Sequence, residues 1–585
     1  MILQALNRLY DRLADDPGYA IAPPGYSLQK ICFAVVVHPD GRLHAIEDRR
    51  EASGNKPRPV QRLVPGQSKP SGSGLNPCFL WDNAFYLFGF TEEDSKKDRA
   101  RKAFAAFRES HLALEREIDD RAFSAVCRFL RSWRPELAAD HPELAEFATG
   151  FGVFQLTGES EYVHERERIR DWWTAHLQAD DDAGEKTGLC LITGQRARIA
   201  SIHEPKIKGV NRAQSSGALL VSFEPDAFTS YGKAQSYNAP VSEAAAFRYA
   251  TALNGILSGP CSDKHRIRIG DATVVFWTER ATITEDWLAQ MLGGDISEVQ
   301  DDAALARTRV FLQALRNGGG ELRALGDDPA TPVHVLALAP NAARLSVRFL
   351  HTGSIGDLFD RLRDHHDALR LSWCWDPADR REPPQFPPIW MLLRETARES
   401  REIPPLLGGA LMRAVLEGTP YPDALASAVI RRIRADRIVN YLRAAILKAW
   451  LIRKPNRQGG IPVSLDIERS DPAYRLGRLF AVLEKTQEEA QPGINATIRD
   501  RFFSAASATP AIVFPRLLRT YQHHLAKLNP GAKVNREKLV QDIVDGLATM
   551  PSHLNLEQQA QFAIGYYHQR KALFTKSESN EGYQE

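Results

Sequence analysis

The spacing of hydrophobic positions changes along the chain and divides it into a mixed N-terminal part and a helical C-terminal part. Apolar residues form a continuous run at 31–37, residues 39–41 supply turn chemistry, and 42–46 return, which predicts a β-hairpin. Further apolar runs predict strands at 219–223, 273–277, 333–338 and 345–350. Between 98 and 177, and beyond about residue 355, apolar side chains recur at helical spacing.

Two N-terminal segments have other patterns. Residues 2–13 carry apolar side chains at helical spacing with charges between them, which predicts an amphipathic helix rather than a signal peptide. Residues 48–77 are polar and rich in Gly, Pro, Ser and bases, and they are too many for a simple connection. The sequence contains no run of about 18 apolar residues, so we expect no membrane span and a cytoplasmic protein.

These patterns predict an α+β protein. The 585 residues are enough for roughly three to four domains. We predict a mixed N-terminal body with β-hairpins and helices over residues 1–354 and a helical connecting region over 355–473. An all-α C-terminal bundle is predicted over 474–585.

Charge is informative only locally. The formal net charge of +2 is nearly neutral. Bases nevertheless outnumber acids in three stretches, 49–74, 428–454 and 494–541. Basic stretches interspersed with amides and aromatic residues favour nucleic-acid binding, although large neutral proteins also carry solvated basic patches.

The cysteines point to no metal or redox chemistry. The 6 cysteines are scattered, and none forms a C-x-x-C pair. Such spacing excludes an ordinary zinc ribbon and supplies no disulfide framework, so we expect single buried thiols and no metal or cofactor.

Polar and cationic side chains are most densely grouped in residues 189–257 of the chain. Cationic side chains there lie among amides, hydroxyls and turn-forming glycines, a combination that suits phosphates and base edges. An ordinary solvated basic loop remains the alternative. The candidate DNA-contacting residues of this segment are Lys206, Lys208, Asn211, Gln214, Ser215, Ser216, Lys233, Gln235 and Asn238.

A second candidate is the glycine-containing loop at 69–77. It lacks the G-x-x-x-x-G-K-[ST] pattern of a nucleotide-binding loop, and Pro77 stands where a dinucleotide fingerprint needs glycine. A thin loop with polar donors could enter a DNA groove, or it could be a plain flexible surface loop. The candidates here are Lys69, Ser71, Gly72, Ser73, Gly74 and Asn76.

The residues His365, His366 and Asp367 invite comparison with a metal-dependent nuclease. The further His and Asp ligands that such a site needs are not evident, so we expect these to be surface groups and the protein not to be an enzyme. A DNA-processing nuclease built on these three residues remains the alternative function. A third hypothesis is a helical scaffold whose basic patches meet acidic proteins.

Five stretches that are spread along nearly the whole chain are similar to one known family. They are residues 66–89, 189–257, 339–358, 408–453 and 474–528. In this order they resemble the large subunit of the type I-C (Dvulg-subtype) CRISPR Cascade, of the CRISPR-associated Csd family. The resemblance implies a subunit that recognises the protospacer-adjacent motif on double-stranded DNA, promotes R-loop formation and holds the displaced strand.

The resemblance also implies partners. They are a CRISPR RNA ribonucleoprotein with backbone and RNA-processing subunits, a recruited helicase–nuclease, and a small helical subunit translated from within the same gene. No methionine lies between Met412 and Met550, so an internal start near 474 would need another codon. The candidates for DNA-backbone contacts are Lys56, Arg58, Arg431, Arg434, Arg499, Arg501, Arg516 and Arg519.

Overall fold

A computed structural model describes residues 1–52, 57–67, 69, 74–181, 186–223, 226–293, 323, 326–373, 382–455 and 460–574. The chain forms two units. The first comprises Met1–Gly209, Ala213–Ser262 and Asn341–Leu345. The second comprises Val210–Arg212, Asp263–Pro340 and Ser346–Glu585.

The first unit is built on a five-stranded sheet. Its strands are β1 (Tyr26–Val37), β2 (Leu43–Asp48), β3 (Val60–Pro65), β4 (Trp81–Asn83) and β5 (Phe151–Leu156). The order is β2-β1-β5-β4, with β3 also on β1. Strand β1 runs parallel to β5 and antiparallel to β2 and β3. Because β1 pairs with three strands and is covered on both faces, its apolar run is continuous rather than alternating.

The described part of the first unit also contains six α-helices. They are α1 (Ile2–Ala14), α2 (Ala84–Leu87), α3 (Lys97–Ile118), α4 (Arg121–Ser132), α5 (Glu167–Asp181) and α6 (Glu243–Ser258). A short ribbon of β6 (Thr187–Leu189) and β7 (Arg196–Arg198) precedes α6. Asp120 caps the N-terminus of helix α4, since its Oδ1 accepts from the N–H groups of Ala122 and Phe123. The fully buried rings of Phe33, Phe107 and other aromatic residues fill the core beneath.

The second unit combines a four-stranded sheet with helices. After the short helix α7 (Ser262–His265), its strands are β8 (Arg266–Ile269), β9 (Ala272–Thr278), β10 (Pro332–Asn341) and β11 (Arg344–Ser354), in the order β11-β10-β9-β8. Helix α8 (Ile283–Gly293) lies between β9 and β10 in the chain.

From Ile355 onward every described regular element is a helix. The α-helices are α9 (Ile355–Leu369), α10 (Ile389–Arg394), α11 (Pro405–Glu417), α12 (Asp423–Asp436), α13 (Tyr441–Ile452), α14 (Pro472–Ala490), α15 (Ile498–Ala506), α16 (Pro510–Leu525), α17 (Pro530–Asp545) and α18 (Leu556–Phe574).

Helices α14 and α18 cross with their backbones in contact. A Cβ atom on Gly477 would lie 2.0 Å from the carbonyl oxygen of Phe562, and one on Gly565 would lie 2.1 Å from that of Tyr474. Only glycine allows this approach. The close crossing buries both helices in the core of the second unit.

The predicted α+β class is confirmed, with sheets in the N-terminal region and helices in the C-terminal region. The amphipathic N-terminal helix, the β1–β2 hairpin and the strands predicted at 273–277, 333–338 and 345–350 are all present. No disulfide links the described cysteines Cys32, Cys78, Cys127, Cys190 and Cys261. Of the helices in the described ranges, none is long and apolar enough to cross a bilayer.

Three expectations about elements were wrong. The apolar run 219–223 forms no strand, and only Leu219 makes an isolated bridge, to Arg344. Strand β3 lies within the stretch that we predicted to be a polar loop. The sequence pattern did not indicate this strand because two of its residues, Gln61 and Arg62, are polar and exposed. Strand β5 lies within the region that we predicted to be helical. It pairs with β1, which is distant in sequence, so no local pattern indicated this strand.

The two units do not follow the predicted division at 354 and 473. The second sheet, which was assigned to the N-terminal body, belongs with the helices of the second unit. The functional division into 1–354, 355–473 and 474–585 stays a prediction.

Candidate nucleic-acid interface

A groove of about 620 Å³ in the first unit brings the two predicted loops together. Lys69 and Asn76 of one loop line it together with Lys206, Lys208 and Ser216 of the other. The two loops are far apart in sequence, so folding makes them parts of one groove wall. We call this cavity the first groove.

Lys69 is held inside its loop rather than offered to solvent. Its Nζ donates to the carbonyl oxygen of Asn76 at 2.6 Å, forms an ion pair with the fully buried Asp82, and lies 3.3 Å from the centre of the Tyr86 ring. Burial raises the pKa of Asp82, and the Lys69 ammonium opposes that shift. Lys69 therefore stabilises the loop, whereas the Asn76 side chain is exposed at the groove.

Helix α6 fixes the backbone of the second loop. The Oδ1 of Asn254 accepts from the N–H of Lys208 at 2.7 Å, and its Nδ2 donates to the carbonyl oxygen of Lys206 at 3.0 Å. Ile207 points inward and is buried between them. Because successive extended residues face opposite ways, both lysines are directed away from the core.

Two glycines close this loop. Gly209 has a φ of +89°, and a Cβ there would lie 2.8 Å from the carbonyl oxygen of Leu257. Gly217 has a φ of +94°, and its Cβ would lie 2.7 Å from the Cβ of Lys206. Both positions require glycine, which explains why these residues punctuate the polar segment.

Aromatic rings form the other wall of the first groove. Phe79 stacks on Trp173 with ring centres 5.1 Å apart and planes at 5°. Trp172 stacks on His176 at 4.8 Å and 14°. The indole N–H of Trp173 donates to the carbonyl oxygen of Gly25 at 2.9 Å, which fixes its ring plane. All four rings line the groove, and none is fully buried.

The groove also contains a carboxylate. Burial raises the pKa of Glu204, and the neighbouring Lys206 and Lys208 oppose that rise. The pKa of Lys208 is lowered because surrounding protein displaces water and because Lys30 adds a second positive charge nearby. A charged group of opposite sign, such as a phosphate, would relieve the repulsion between Lys30 and Lys208.

A second groove of about 500 Å³ shares Lys206 and Lys208 with the first. Its described lining residues include Lys30 and no carboxylate. The amides of this lining belong to Gln29, Gln61, Gln67 and Asn254, and Ser215 also contributes. The two lysines thus lie between an aromatic groove and a cationic, amide-rich groove, which together offer ring faces, phosphate partners and hydrogen-bond donors.

The sequence matches one family. The model of CRISPR-associated proteins named Cas_Csd1 matches residues 6–574. The chain belongs to the Cas_Csd1 family. The membership assigns the protein to CRISPR-based defence. No curated protein matches the sequence.

Other predicted loop residues of this Cas_Csd1 protein lie outside the first groove. Asn211 belongs to the second unit, where its N–H donates to the Oγ1 of Thr273 at 2.9 Å. Gln214, Lys233 and Gln235 are exposed on the first unit. Gly74 is also exposed, and Ser71, Gly72, Ser73 and Lys56 lie outside the described residues.

Asn238 acts within its own loop. Its Oδ1 accepts from the N–H of Ser230 at 3.0 Å, and its Nδ2 donates to the carbonyl oxygens of Lys233 and Gln235 at 2.6 and 2.9 Å. With its amide used in this way, Asn238 holds the loop closed rather than offering an amide to a base.

The predicted backbone-contacting arginines of the second unit have different surroundings. Arg431, Arg501, Arg516 and Arg519 are exposed, and so is Arg58 in the first unit. Arg434 is half-buried and donates to Gln559 at 2.9 Å. The guanidinium of Arg516 lies 5.3 Å from the centre of the Phe502 ring, where it remains accessible.

Arg499 belongs to a buried network instead. The fully buried Glu484 accepts from Tyr566 at 2.5 Å and from Arg570 at 3.1 Å, and Arg499 lies 3.5 Å from its other oxygen. We assign Arg499 to the stability of the bundle and leave it out of the proposed interface.

The histidines at 365 and 366 are not the surface groups that we expected. His365 is 2% exposed and hydrogen-bonds to the hydroxyl of Tyr421, and the His366 ring packs edge-on against Phe386 at 4.9 Å. His365 lies on the buried face of α9 and His366 is half-buried, and the loss of water around its ring lowers the pKa of His366 to about 3. Asp367 remains exposed. Within the described ranges, no three His, Cys, Asp or Glu side chains could hold a metal ion.

The sequence patterns did not indicate several of the residues that line the two grooves. Trp172 and Trp173 lie on a helix, where aromatic residues usually indicate core positions, and Lys30 and Gln61 face each other across β1 and β3. Residues 60–65 do not alternate between apolar and polar side chains, so no local pattern indicates Gln61. Nothing local indicates that these residues line the same grooves as Lys208.

Proposed function

We propose that this protein is the large subunit of a type I-C CRISPR RNA-guided surveillance complex and recognises the protospacer-adjacent motif on double-stranded DNA. The observation that carries the proposal is the shared position of Lys206 and Lys208 between two polar grooves. Two cations at a fixed backbone suit the phosphates of one strand, while Asn76 and Ser216 can reach base edges.

Rigidity supports this assignment. The Asn254 clamp and the Lys69–Asp82 pair fix the two loops that face the first groove. Donors that are held in place lose little entropy on binding, which favours discrimination between sequences.

The exposed arginines of the second unit have a separate proposed task. Arg431, Arg501, Arg516 and Arg519 are exposed and carry positive charge on helical surfaces. We infer that they track the phosphates of the displaced strand during R-loop formation and read no bases. A helicase–nuclease, a small helical subunit and the ribonucleoprotein with its backbone and RNA-processing subunits complete the proposed assembly.

The protein itself is proposed not to cut DNA. His365 is buried and His366 is half-buried, and the loss of water around both rings disfavours their charged forms. Cleavage by the purified chain with Mg²⁺ or Mn²⁺, abolished by changing His365, His366 and Asp367 together, would establish the alternative function of a nuclease.

The test uses the assembled complex with its guide RNA and a duplex library randomised beside the guide-complementary sequence. The wild-type complex should select a short motif. The double change Lys206→Ala/Lys208→Ala should weaken binding to all duplexes, whereas Asn76→Ala should cost about 1–3 kcal/mol on motif-bearing duplexes alone.

The control is Lys97→Ala/Lys102→Ala, which removes the same charge from residues that line neither groove. Equal affinity of the groove variant and the control for motif-bearing DNA would contradict the proposal.

A further inference from the structure

The loop at 226–240 presents a fully exposed aromatic ring at its tip. Tyr231 is 98% exposed, and it occupies the first central position of a turn that is closed by the Ser230–Lys233 bridge. The N–H of Lys233 donates to the carbonyl oxygen of Ser230 at 2.9 Å. The ring is therefore displayed by an ordered turn.

The backbone of this turn is unfavourable for tyrosine. Tyr231 has a φ of +51° and Gly232 one of +68°, the pair of positive values of a type I′ turn. Asparagine, aspartate or glycine suits the first of these positions, whereas a residue with a bulky side chain there costs roughly 1–2 kcal/mol. Strain of this kind at an exposed tip points to a task for the side chain.

The loop is held firmly behind the tip. Asn238 makes its three hydrogen bonds across the base of the loop. The N–H of Ser236 donates to the carbonyl oxygen of Ser201 at 3.1 Å, and this attaches the loop to the segment that leads to Lys206. Because these hydrogen bonds already fix the loop, its backbone loses little conformational freedom when the ring binds a ligand.

The surroundings are cationic and aromatic. The guanidinium of Arg344 lies 5.3 Å from the centre of the Phe228 ring, and the ammonium of Lys186 lies 4.7 Å from that of Tyr237. Lys233 is exposed two residues from Tyr231. Alternating rings and cations are typical of surfaces that bind single-stranded nucleic acid.

We propose that Tyr231 stacks on an unpaired nucleobase while Lys233 contacts the adjacent phosphate. This inference rests on the proposed function, because it assigns a contact to the DNA that the complex opens. A protein partner fits less well, since Tyr231 is 98% exposed and so projects from the surface, whereas the residues that dominate protein interfaces sit in well-packed surroundings. A lone ring beside a cation suits a base, which has a π-face whatever its identity.

The test measures binding of the full-length protein to two single-stranded oligonucleotides of equal length at one low salt concentration. One carries bases, and the other is an abasic backbone. Tyr231→Ala should weaken binding to the base-bearing strand by about 5- to 100-fold and leave abasic binding unchanged. Tyr231→Phe should keep the affinity, because stacking needs the ring and not the hydroxyl.

Two further variants keep the outcome interpretable. Tyr231→Gly removes the ring and relieves the strained φ, so its loss of affinity cannot be due to misfolding if its melting temperature stays equal or rises. Leu137→Ala, at an exposed apolar residue elsewhere on the first unit, should change neither affinity.

Unchanged affinity of Tyr231→Ala for the base-bearing strand, or equal losses on both strands, would overturn the inference while leaving the proposed function standing. Normal DNA binding with failure to assemble with the other subunits would also overturn it and would identify a protein contact. If the wild-type protein binds neither single strands nor motif-bearing duplex, the proposed function fails as well.

Discussion

Lys69 forms an ion pair with Asp82, a carboxylate that is fully buried beneath the first groove. The same carboxylate accepts from the N–H groups of Cys78 and Asn83 at 3.0 and 2.8 Å. The lysine that sequence patterns suggest as a DNA contact therefore neutralises a buried charge, and the loop that carries Asn76 depends on it.

We predict that Lys69→Met destabilises the protein by about 3 kcal/mol, because it leaves the buried Asp82 carboxylate without its cation. Combining it with Asp82→Asn should restore part of that loss. Urea unfolding of the single and double variants measures both effects. Lys97→Met, which breaks the exposed Lys97–Asp94 pair, should change stability by at most about 0.5 kcal/mol. Equal stability of Lys69→Met and Lys97→Met would contradict this role.

The crossing of α14 and α18 provides a second prediction. Gly477→Ala and Gly565→Ala should each destabilise the protein by about 1–3 kcal/mol, because the added Cβ would overlap a backbone carbonyl. Gly409→Ala is the matched control: it lies within α11, and its Cβ would meet no atom within 4 Å. That change should stabilise the protein by up to about 1 kcal/mol. Thermal unfolding distinguishes the opposite signs, and destabilisation by all three would refute the packing argument.

The contact between α14 and α18 is a feature that the local sequence pattern does not predict. The apolar period at 472–490 predicts a helix on its own, but Gly477 acquires its meaning only from Phe562, which lies far away in sequence. Strand β1 was predictable from its continuous apolar run, whereas its parallel partner β5 was missed inside a region of helical spacing. Local patterns indicate elements, and long-range pairing decides their neighbours.

Some residues of the candidate site could likewise be predicted from the sequence, and others could not. Lys206, Lys208 and Asn76 could be proposed from residue type and spacing, and the fold brings them to one groove. Lys69, Asn238 and Arg499 belong to the same residue types, but buried or local partners occupy them. Residue type alone does not distinguish a cation offered to a ligand from one that neutralises a buried carboxylate.

Buried histidines give the protein an acid-sensitive stability. Burial lowers the pKa of His111 and His164 to about 4 and that of His366 and His568 to about 3. The unfolded chain binds protons near the ordinary pKa of about 6.5, so the folded state binds fewer protons below that pH. Stability from these groups is complete above about pH 6.5 and falls as the pH drops toward about 4.

Each such histidine should contribute about 2 kcal/mol of destabilisation between pH 6.5 and 5. Urea unfolding at pH 7.5, 6.0 and 5.0 measures the slope. His568→Gln should lower stability at pH 7.5 and also reduce the slope, because it removes one titrating group. A slope identical to that of the wild-type protein would show that His568 does not titrate on unfolding.

The exposed arginines of the second unit should control the salt dependence of single-strand binding. Arg501→Ala, Arg516→Ala and Arg519→Ala together should reduce the slope of log affinity against log salt by about 2, or about 0.7 for each lost phosphate contact. A control variant removes the exposed cations Arg370, Arg398 and Arg401, which lie outside the basic stretches of the sequence, and should leave the slope unchanged. Arg499→Ala should instead lower the melting temperature, because it removes a partner of the buried Glu484. An unchanged slope in the triple variant would exclude these arginines from the DNA path.

The first groove of this Cas_Csd1 protein is the proposed binding site for the motif of double-stranded DNA. A cryo-EM map of the protein with its partner subunits, guide RNA and target DNA measures this directly. We expect duplex density at the first groove, with phosphates beside Lys206 and Lys208 and base edges within reach of Asn76. Duplex density on another surface, with the groove empty or filled by a partner protein, would contradict it.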